Sequence, residues 1–459
     1  MGSHINRRKF LKTASLGAAG IVILKNSASA RTYQANNKLN LAIIGCAGRG
    51  HWFVATLPKI ENVVALCDVD ERKCQNSYKR LPDTPKFRDY RKMLDKTEKQ
   101  IDAVIVATPD NTHAVIAVAA MKRGKAVYCE KPLSHDVWES RVMRDVARKH
   151  KVATQMGNQG TATPGFRRAM ELIQAGAIGQ VRQVYVYKDG GGNGNRPLPK
   201  GKMDIPKTLD WDTWIGPAAY RDFHTRWMRW HGWRDFGTCK LGNWASHSAN
   251  LAFKALKVDS LWQADPKTKP IISVEAKTPE ICKTSYPRWE LVTYKIPARG
   301  TWAPLTLTWG TGPKAPGFRD KVEKTIKRGL DWGDKGRKKW DDHAGAAIEG
   351  DKGVIDTNGH NTTFSLTPGD KFEGVQTKRP EKLPLPGGHE REFFAAVKGG
   401  KPAWSNFDYA ACLNEFLQLG NVATMFEGPL LFDPLACKIT NNKPANEALR
   451  REYRKGWSL

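Results

Sequence analysis

The stretch from Leu39 to Gly50 constrains this chain more than any other. Leu41, Ile43 and Ile44 form a short apolar run that stops at Gly45, and the residues from His51 onward suit a helix. Strand, glycine turn and helix entry make the first half of a βαβ unit, and such a turn leaves backbone N–H groups at a helix N-terminus where a pyrophosphate docks. The fingerprint is Gly45-x-Ala47-x-x-Gly50, with Gly48 and Arg49 inside it, so Ala47 stands where backbone and pyrophosphate come closest. A second apolar run, Val63 to Cys67, ends in Asp68, placed to accept hydrogen bonds from the adenosine ribose. A carboxylate there repels a 2′-phosphate, which selects NAD over NADP.

Downstream, the pattern repeats. Glu71 to Arg80 reads as a helix, Phe87 to Leu94 as a connecting segment, and Ile101 to Ala107 as a buried strand ending in Thr108-Pro109-Asp110-Asn111-Thr112-His113. Ala114 to Arg123 supplies a helix, Ala126 to Cys129 a strand running into Glu130-Lys131-Pro132, Asp136 to His150 a helix, and Val152 to Gln155 a strand. Strands alternating with helices of this length specify a doubly wound parallel sheet, a Rossmann fold, with ligands at the carboxyl ends of the strands. Gly45, Asp68, Thr108 and Lys131 all fall at such ends.

Past Gln155 the texture changes. Phe166 to Gly176 reads as a helix, and Val181 to Lys188 alternates like a strand with one solvated face. Ile272–Ala276, Glu290–Ile296, Leu305–Trp309 and Gly353–Asp356 read as further strands, and His389–Val397 and Asp408–Met425 as helices. They predict a second, α+β domain built on an open, mostly antiparallel sheet flanked by helices. The expected division is an export signal over 1–30, a dinucleotide domain over 38–157 and a substrate domain over 158–459. Pro313 to Asp342 is rich in Lys and Arg without clear periodicity and reads as a surface excursion. Trp211 to Trp233 looks loop-like, and several of the chain's sixteen tryptophans crowd there. They suit either stacking on sugar rings or a small core.

Length and charge set the outer limits. A chain of 459 residues is too long for one compact core. The net charge of +28 includes five cations and no acid in the first thirty residues, so the remainder is still strongly basic. Such a field attracts polyanions, although a solvated basic surface is the simpler reading. Asn6-Arg7-Arg8-Lys9-Phe10-Leu11-Lys12, a modest apolar run from Ala14 to Leu24, and Ala28-Ser29-Ala30 resemble a twin-arginine signal, which implies export of a folded protein to the periplasm. No segment reads as a stable membrane span. The eight cysteines form no Cys-x-x-Cys pair and no metal-ligand spacing, so they are expected as buried free thiols and no metal is predicted.

Gly45 to Gly50, Thr108-Pro109-x-x-x-His113 and Glu130-Lys131-Pro132 resemble the three signatures of the Gfo/Idh/MocA oxidoreductases. The resemblance extends through Leu209 to Pro217, Phe236 to His247 and the end of the chain. It implies Lys131 as catalytic lysine; partial burial lowers a lysine pKa towards usefulness as a proton shuttle. It also implies Thr108, Pro109, Asn111, His113 and Glu130 as cofactor contacts, with helix capping by Asn111 or Thr112 the alternative role. Gln159, Tyr187, His231 and Arg234 fall where the family builds its substrate pocket. Asn243 and His247, four apart on one helix face, stand where the family's dehydrogenases commonly carry Asp and His. The amide holds no negative charge, so His247 lacks an anionic partner.

The leading expectation is an NAD-dependent oxidoreductase acting on a carbohydrate or polyol, with the cofactor tightly bound and the chain a homo-oligomer, dimer or tetramer. Outside the cytoplasm no free NADH pool recycles the cofactor, which brings in a redox-neutral alternative: a glycoside hydrolase or lyase working through a transient keto-sugar. Family glycosidases tend to lose Glu-Lys-Pro and carry Gly-His-Gly-Gly; this chain keeps Glu130-Lys131-Pro132 and has Gly387-Gly388-His389. A third reading is a non-catalytic, dinucleotide-bound sugar-binding protein. A nucleic-acid partner is not expected.

Overall fold

The structure is a computed structural model, and it describes residues 38–333 and 342–459. The predicted export signal lies outside the described residues. Six parallel strands form the first sheet: β1 (Asn40–Ile44), β2 (Asn62–Cys67), β3 (Lys86–Phe87), β4 (Ala103–Val106), β5 (Ala126–Cys129) and β6 (Thr154–Met156). Their order is β3-β2-β1-β4-β5-β6, the doubly wound arrangement in which the chain reverses direction beside β1. Alternate side chains of β1 serve two cores: Ala42 and Ile44 face one, Leu41 and Ile43 the other. The second of these is closed by Phe393, Phe394 and Val397 of the late helix His389–Val397, so the end of the chain returns to cover the first sheet.

The segment Phe87 to Leu94 is not a plain connection. It holds β3 and the start of a helix, Tyr90–Thr97, whose N-cap Asp89 accepts a hydrogen bond from the Arg91 backbone N–H. Its buried residues Tyr90, Met93, Leu94 and Thr97 recur at helical spacing, a short stripe obscured in the sequence by interleaved charges.

Nine strands make the second sheet: β7 (Val181–Lys188), β8 (Ile272–Lys277), β9 (Glu290–Ile296), β10 (Leu305–Thr311), β11 (Ala344–Gly350), β12 (Val354–Asn358), β13 (Phe364–Thr367), β14 (Leu430–Asp433) and β15 (Lys438–Ile439). Every neighbouring pair is antiparallel except β7 with β10. Val184 and Val186 of β7 face the helices, including Phe407–Ala423, buried throughout except at Asp408, while Tyr187 faces a smaller cluster on the other side.

That smaller cluster corrects the reading of Pro313 to Asp342 as a featureless excursion. Phe318–Ile326 is a helix whose Phe318, Val322 and Ile326, each four apart, are buried against β7 and β11. Such a stripe contributes on the order of 2 kcal/mol per large side chain, enough to fix the segment to the sheet. Trp211 to Trp233 is likewise more ordered than its glycine- and proline-rich surroundings suggest. Trp211–Ile215 is a short helix, and Trp211, Trp214, Trp227 and Trp233 pack with Phe223 and Phe236 into a core of their own. All eight cysteines are free, seven of them buried.

Candidate active site

A cavity of about 690 Å3 opens at the carboxyl edge of the first sheet and runs to the helices under the second. That volume is ordinary for a small-molecule site, where about 300–1,000 Å3 is usual. Its two ends differ in chemistry.

The first end surrounds the glycine turn. Gly45 and Gly48 have φ of +85° and +53°, and a Cβ on Gly50 would lie 1.7 Å from the Gly45 carbonyl oxygen, so only glycine allows the turn to close. Helix Arg49–Thr56 follows with no side-chain cap and no acid in its first turn. Its free N–H groups are the cradle a pyrophosphate fills. Asp68 lines the cavity, its carboxylate fixed by the Cys46 N–H at 2.7 Å and the Asp70 N–H at 2.9 Å. A dinucleotide fits these residues: N–H groups for phosphate, carboxylate for ribose. Lys73, Arg88 and Tyr90 also line this end and carry no recognisable spacing in the sequence.

Between the ends lie Ala47, Arg49, Thr108, Pro109, Glu130 and Lys131. Glu130 accepts from Arg49 Nε at 2.8 Å and Gln159 Nε2 at 3.3 Å. A Cβ on Gly157 would come within 2.7 Å of its carboxyl carbon, so that glycine makes room for it. Lys131 Nζ hydrogen-bonds Asn243 Oδ1. Desolvation lowers the Lys131 pKa against the opposing carboxylates of Glu130 and Asp110.

The far end is assembled from Gln159, Trp230, His231, Asn243, Trp244, His247 and His360. Asn243 and His247 share a face of helix Cys239–Ser248, as their spacing predicts, and both reach the cavity. His247 is 4 % exposed and its Nδ1 has no partner. Burial, then the positive groups Lys131, His360, His389 and Arg49, push its pKa well down, so the imidazole is neutral. His231 stacks on Trp230 with ring centroids 3.6 Å apart, and the rings of His247 and His360 lie 4.4 Å apart. His360 was not legible from the sequence. It sits in the β12–β13 turn, whose carbonyl at 360 packs where a Cβ on Gly160 would collide.

Five expected site residues do not line the cavity. Tyr187 points through the second sheet into the opposite core, its hydroxyl 3.4 Å from Asp356 Oδ1, because strand alternation puts it on the far face. Arg234 is a clamp, donating to the carbonyls of Cys282, Ser285 and Asn421 and to Thr424 Oγ1. Asn111 donates to the Ile215 carbonyl, and neither it nor Thr112 caps the following helix through its side chain. His113 ties two loops: Nδ1 lies 2.8 Å from the Pro132 carbonyl and Nε2 2.9 Å from that of Thr108. It supports Lys131 and Thr108 rather than meeting a ligand. Gly50 shapes the turn from behind. His389 also stays outside, held by Nε2 on the Met156 carbonyl.

Residues 39–158 match the profile described as "Oxidoreductase family, NAD-binding Rossmann fold". Levoglucosan dehydrogenase of Pseudarthrobacter phenanthrenivorans is 34% identical over 113 residues, 24% of this chain and 28% of that protein. Inositol 2-dehydrogenase of Salmonella typhimurium is 29% identical over 152 residues, 32% of this chain and 44% of that protein. The chain thus spans less than half the length of these curated relatives. Over a greater length the fold resembles the WlbA dehydrogenase from Bordetella pertussis, crystallised with NADH and UDP-GlcNAcA, at TM-score 0.54 and 16% identity, covering 84% of this chain and 97% of that one. GenD2 from gentamicin A biosynthesis, in complex with NAD, gives TM-score 0.54 at 16% identity, with 88% and 98% covered. Residues 39–158 thus match the model of the NAD-binding domain of the Gfo/Idh/MocA oxidoreductases, and the parallel sheet followed by a mixed, mostly antiparallel sheet is a fold shared with these solved structures.

Proposed function

We propose that the chain is a dehydrogenase that moves a hydride between NAD and a carbinol of a sugar or polyol. The observation that carries this is the pairing of Lys131 with Asn243 inside the cavity, beside a buried, neutral His247. NAD, when bound, supplies the hydride acceptor. Lys131, whose pKa desolvation lowers, takes the hydroxyl proton in its amine form as the C–H bond breaks and the ketone forms. Asn243 helps this step. Its amide oxygen accepts a hydrogen bond from the amine without the negative charge that would hold an ammonium in place. An amide partner thus favours the ammonium less than a carboxylate would, in the same direction as the desolvation of Lys131. His247 Nδ1 offers a second hydroxyl a hydrogen-bond partner, and Trp230 and Trp244 supply aromatic walls for the ring.

The paired-arginine segment adds a constraint on this reading. An exported enzyme regenerates its cofactor within the cycle, so NAD stays tightly bound and a second sugar or the same substrate takes the hydride back. Denaturing the purified protein and weighing any released dinucleotide tests the first half. A panel of sugars, polyols and glycosides, read for keto-product and for cleavage, tests the second. Release of an intact keto-sugar supports the dehydrogenase; glycoside cleavage without net NADH would replace it with the redox-neutral hydrolase.

A further inference from the structure

The dinucleotide end of the cavity is closed by chain from far away in sequence. Residues 207–217 run across it from one wall to the other. On the β2 side, just past Asp68, the Asp210 N–H donates to the Val69 carbonyl at 2.8 Å and the Glu71 N–H to the Thr208 carbonyl at 3.0 Å. Arg88 Nη2 adds a hydrogen bond to the Lys207 carbonyl at 2.8 Å. On the β4 side Asn111 Nδ2 donates to the Ile215 carbonyl at 2.8 Å, and a Cβ on Gly216 would come within 2.7 Å of Thr112 Cγ2. Between these two moorings Thr213 and Trp214 line the cavity. A dinucleotide site in a doubly wound sheet lies across these same strand ends, so the segment is a strap over it.

The strap has internal structure. Asp210 caps the short helix Trp211–Ile215, accepting from the Thr213 N–H at 3.1 Å and from its hydroxyl at 2.9 Å, and the Trp211 and Trp214 rings stack 4.8 Å apart. Such an element moves as a unit, and its outer edge is held by the end of the chain. Arg454 Nη2 donates to the carbonyls of Asp212 and Gly216, both at 3.0 Å, and its guanidinium pairs with the Asp212 carboxylate. The Arg454 N–H donates to the Pro217 carbonyl at 3.0 Å. Three residues earlier, Arg451 donates to the Asn111 carbonyl at 2.6 Å and to the fully buried Glu139 carboxylate at 2.7 Å. Trp457 packs beside Tyr90, which lines the same end of the cavity, with ring centroids 6.4 Å apart. The buried Arg451–Glu139 pair is hard to break, whereas the Asp212 side chain is 61% exposed, so this clasp opens first at Arg454.

We propose that Arg454 is a positioning residue for the cofactor: it clasps the strap 207–217 over the dinucleotide groove and so sets how slowly a nicotinamide dinucleotide leaves. Release then requires a local opening of the strap. The inference rests on the proposed function for the identity of the ligand, and it gives retention of that ligand a named cause. Arg451, Arg454 and Trp457 do not line the cavity, so the clasp acts on release and not on the hydride step.

The test loads the full protein with NADH, mixes it with a large excess of NAD and follows the loss of NADH fluorescence, which gives the release rate. Arg454→Ala is expected to speed release about tenfold or more, through the loss of charge-assisted hydrogen bonds, while kcat at saturating NAD does not fall. A general loosening of the fold would instead lower kcat and the melting temperature together. Asp212→Ala removes the exposed half of the same contact from the strap side and is expected to speed release by a smaller factor. Unchanged release in Arg454→Ala overturns the proposal, as does a kcat that falls in step with retention; should that variant not fold, unchanged release in Asp212→Ala overturns it. If release is faster in the variants yet the wild-type protein oxidises no sugar, the clasp stands and the dehydrogenase reading falls.

Discussion

The two ends of the cavity are built by different means. The dinucleotide end comes from one stretch of chain, where a single strand-turn-helix and the end of the next strand place Gly45, Gly50 and Asp68 together. It works through backbone N–H groups and one carboxylate. The far end, proposed to take the sugar, draws on the β5 end, a helix more than a hundred residues later, the Trp230 turn and the β12–β13 turn. It works through an amine, imidazoles and indoles. Local geometry is cheap to specify and intolerant of change, whereas a surface assembled from distant segments tolerates change at any one of them.

That contrast is open to direct challenge. The largest effect is expected for Gly50→Ala, since the added methyl would lie 1.7 Å from a backbone oxygen with no flexible neighbour to yield. Dinucleotide binding, followed by calorimetry, should be lost, or the soluble protein with it. Lys131→Met comes next. Removing a positioned proton acceptor costs about 10²- to 10⁴-fold in kcat. The dinucleotide dissociation constant should move far less, and equal losses in both would erase the distinction between the two ends.

Acid should separate them further, because burial holds the imidazoles near the sugar end neutral. His389, supporting β6 and acting on His247, has its pKa pushed down to about 4 by burial, from an ordinary 6.5. Between those values the unfolded chain binds more protons than the folded one. Stability is therefore intact at neutral pH and is lost as pH falls from about 6.5 towards 4, at about 1.4 kcal/mol per pH unit for this group. Thermal melts across that range should show the fall, and His389→Gln should flatten it. Within the same window sugar affinity should fall before dinucleotide affinity does.

The same contrast explains what was legible in the sequence. Gly45, Asp68, Thr108 and Lys131 follow recognisable strands at fixed offsets, so their convergence could be read without coordinates. Asn243 and His247 were legible because helical spacing put them on one face. Tyr187 misled because residues adjacent in a strand face opposite ways, and the resemblance did not say which face of β7 the cavity touches. Arg234 misled because a long cation near a pocket serves as readily for holding carbonyls. His360 had no local signal, since it reaches the site through a turn whose position is set by packing far away in sequence, and Trp230 was legible only as one of a crowd of tryptophans of which most form a core. The helix Phe318–Ile326 was hidden for a related reason, its apolar stripe of three residues being diluted by lysines and arginines that stay in solvent.

The smallest expected effect tests the first end alone. Asp68 has two carboxylate oxygens, each already accepting one backbone N–H, from Cys46 and from Asp70. Asp68→Asn keeps one acceptor and turns an N–H donor towards the other backbone N–H, which cannot accept it. The turn should shift slightly, and the ribose should lose a charge-assisted hydrogen bond worth about 1.5–3 kcal/mol, or roughly tenfold or more in NAD affinity. The same change removes the repulsion of a 2′-phosphate, while Lys73 and Arg88, the latter already paired with Glu71 at 2.8 Å, line the cavity beside it as counter-charges. NADP affinity should therefore rise relative to NAD in the variant, measured by competition at fixed ionic strength. If instead the wild-type chain already binds NADP as tightly as NAD, those two cations dominate the adenosine end, and Asp68 serves the turn rather than the choice of cofactor.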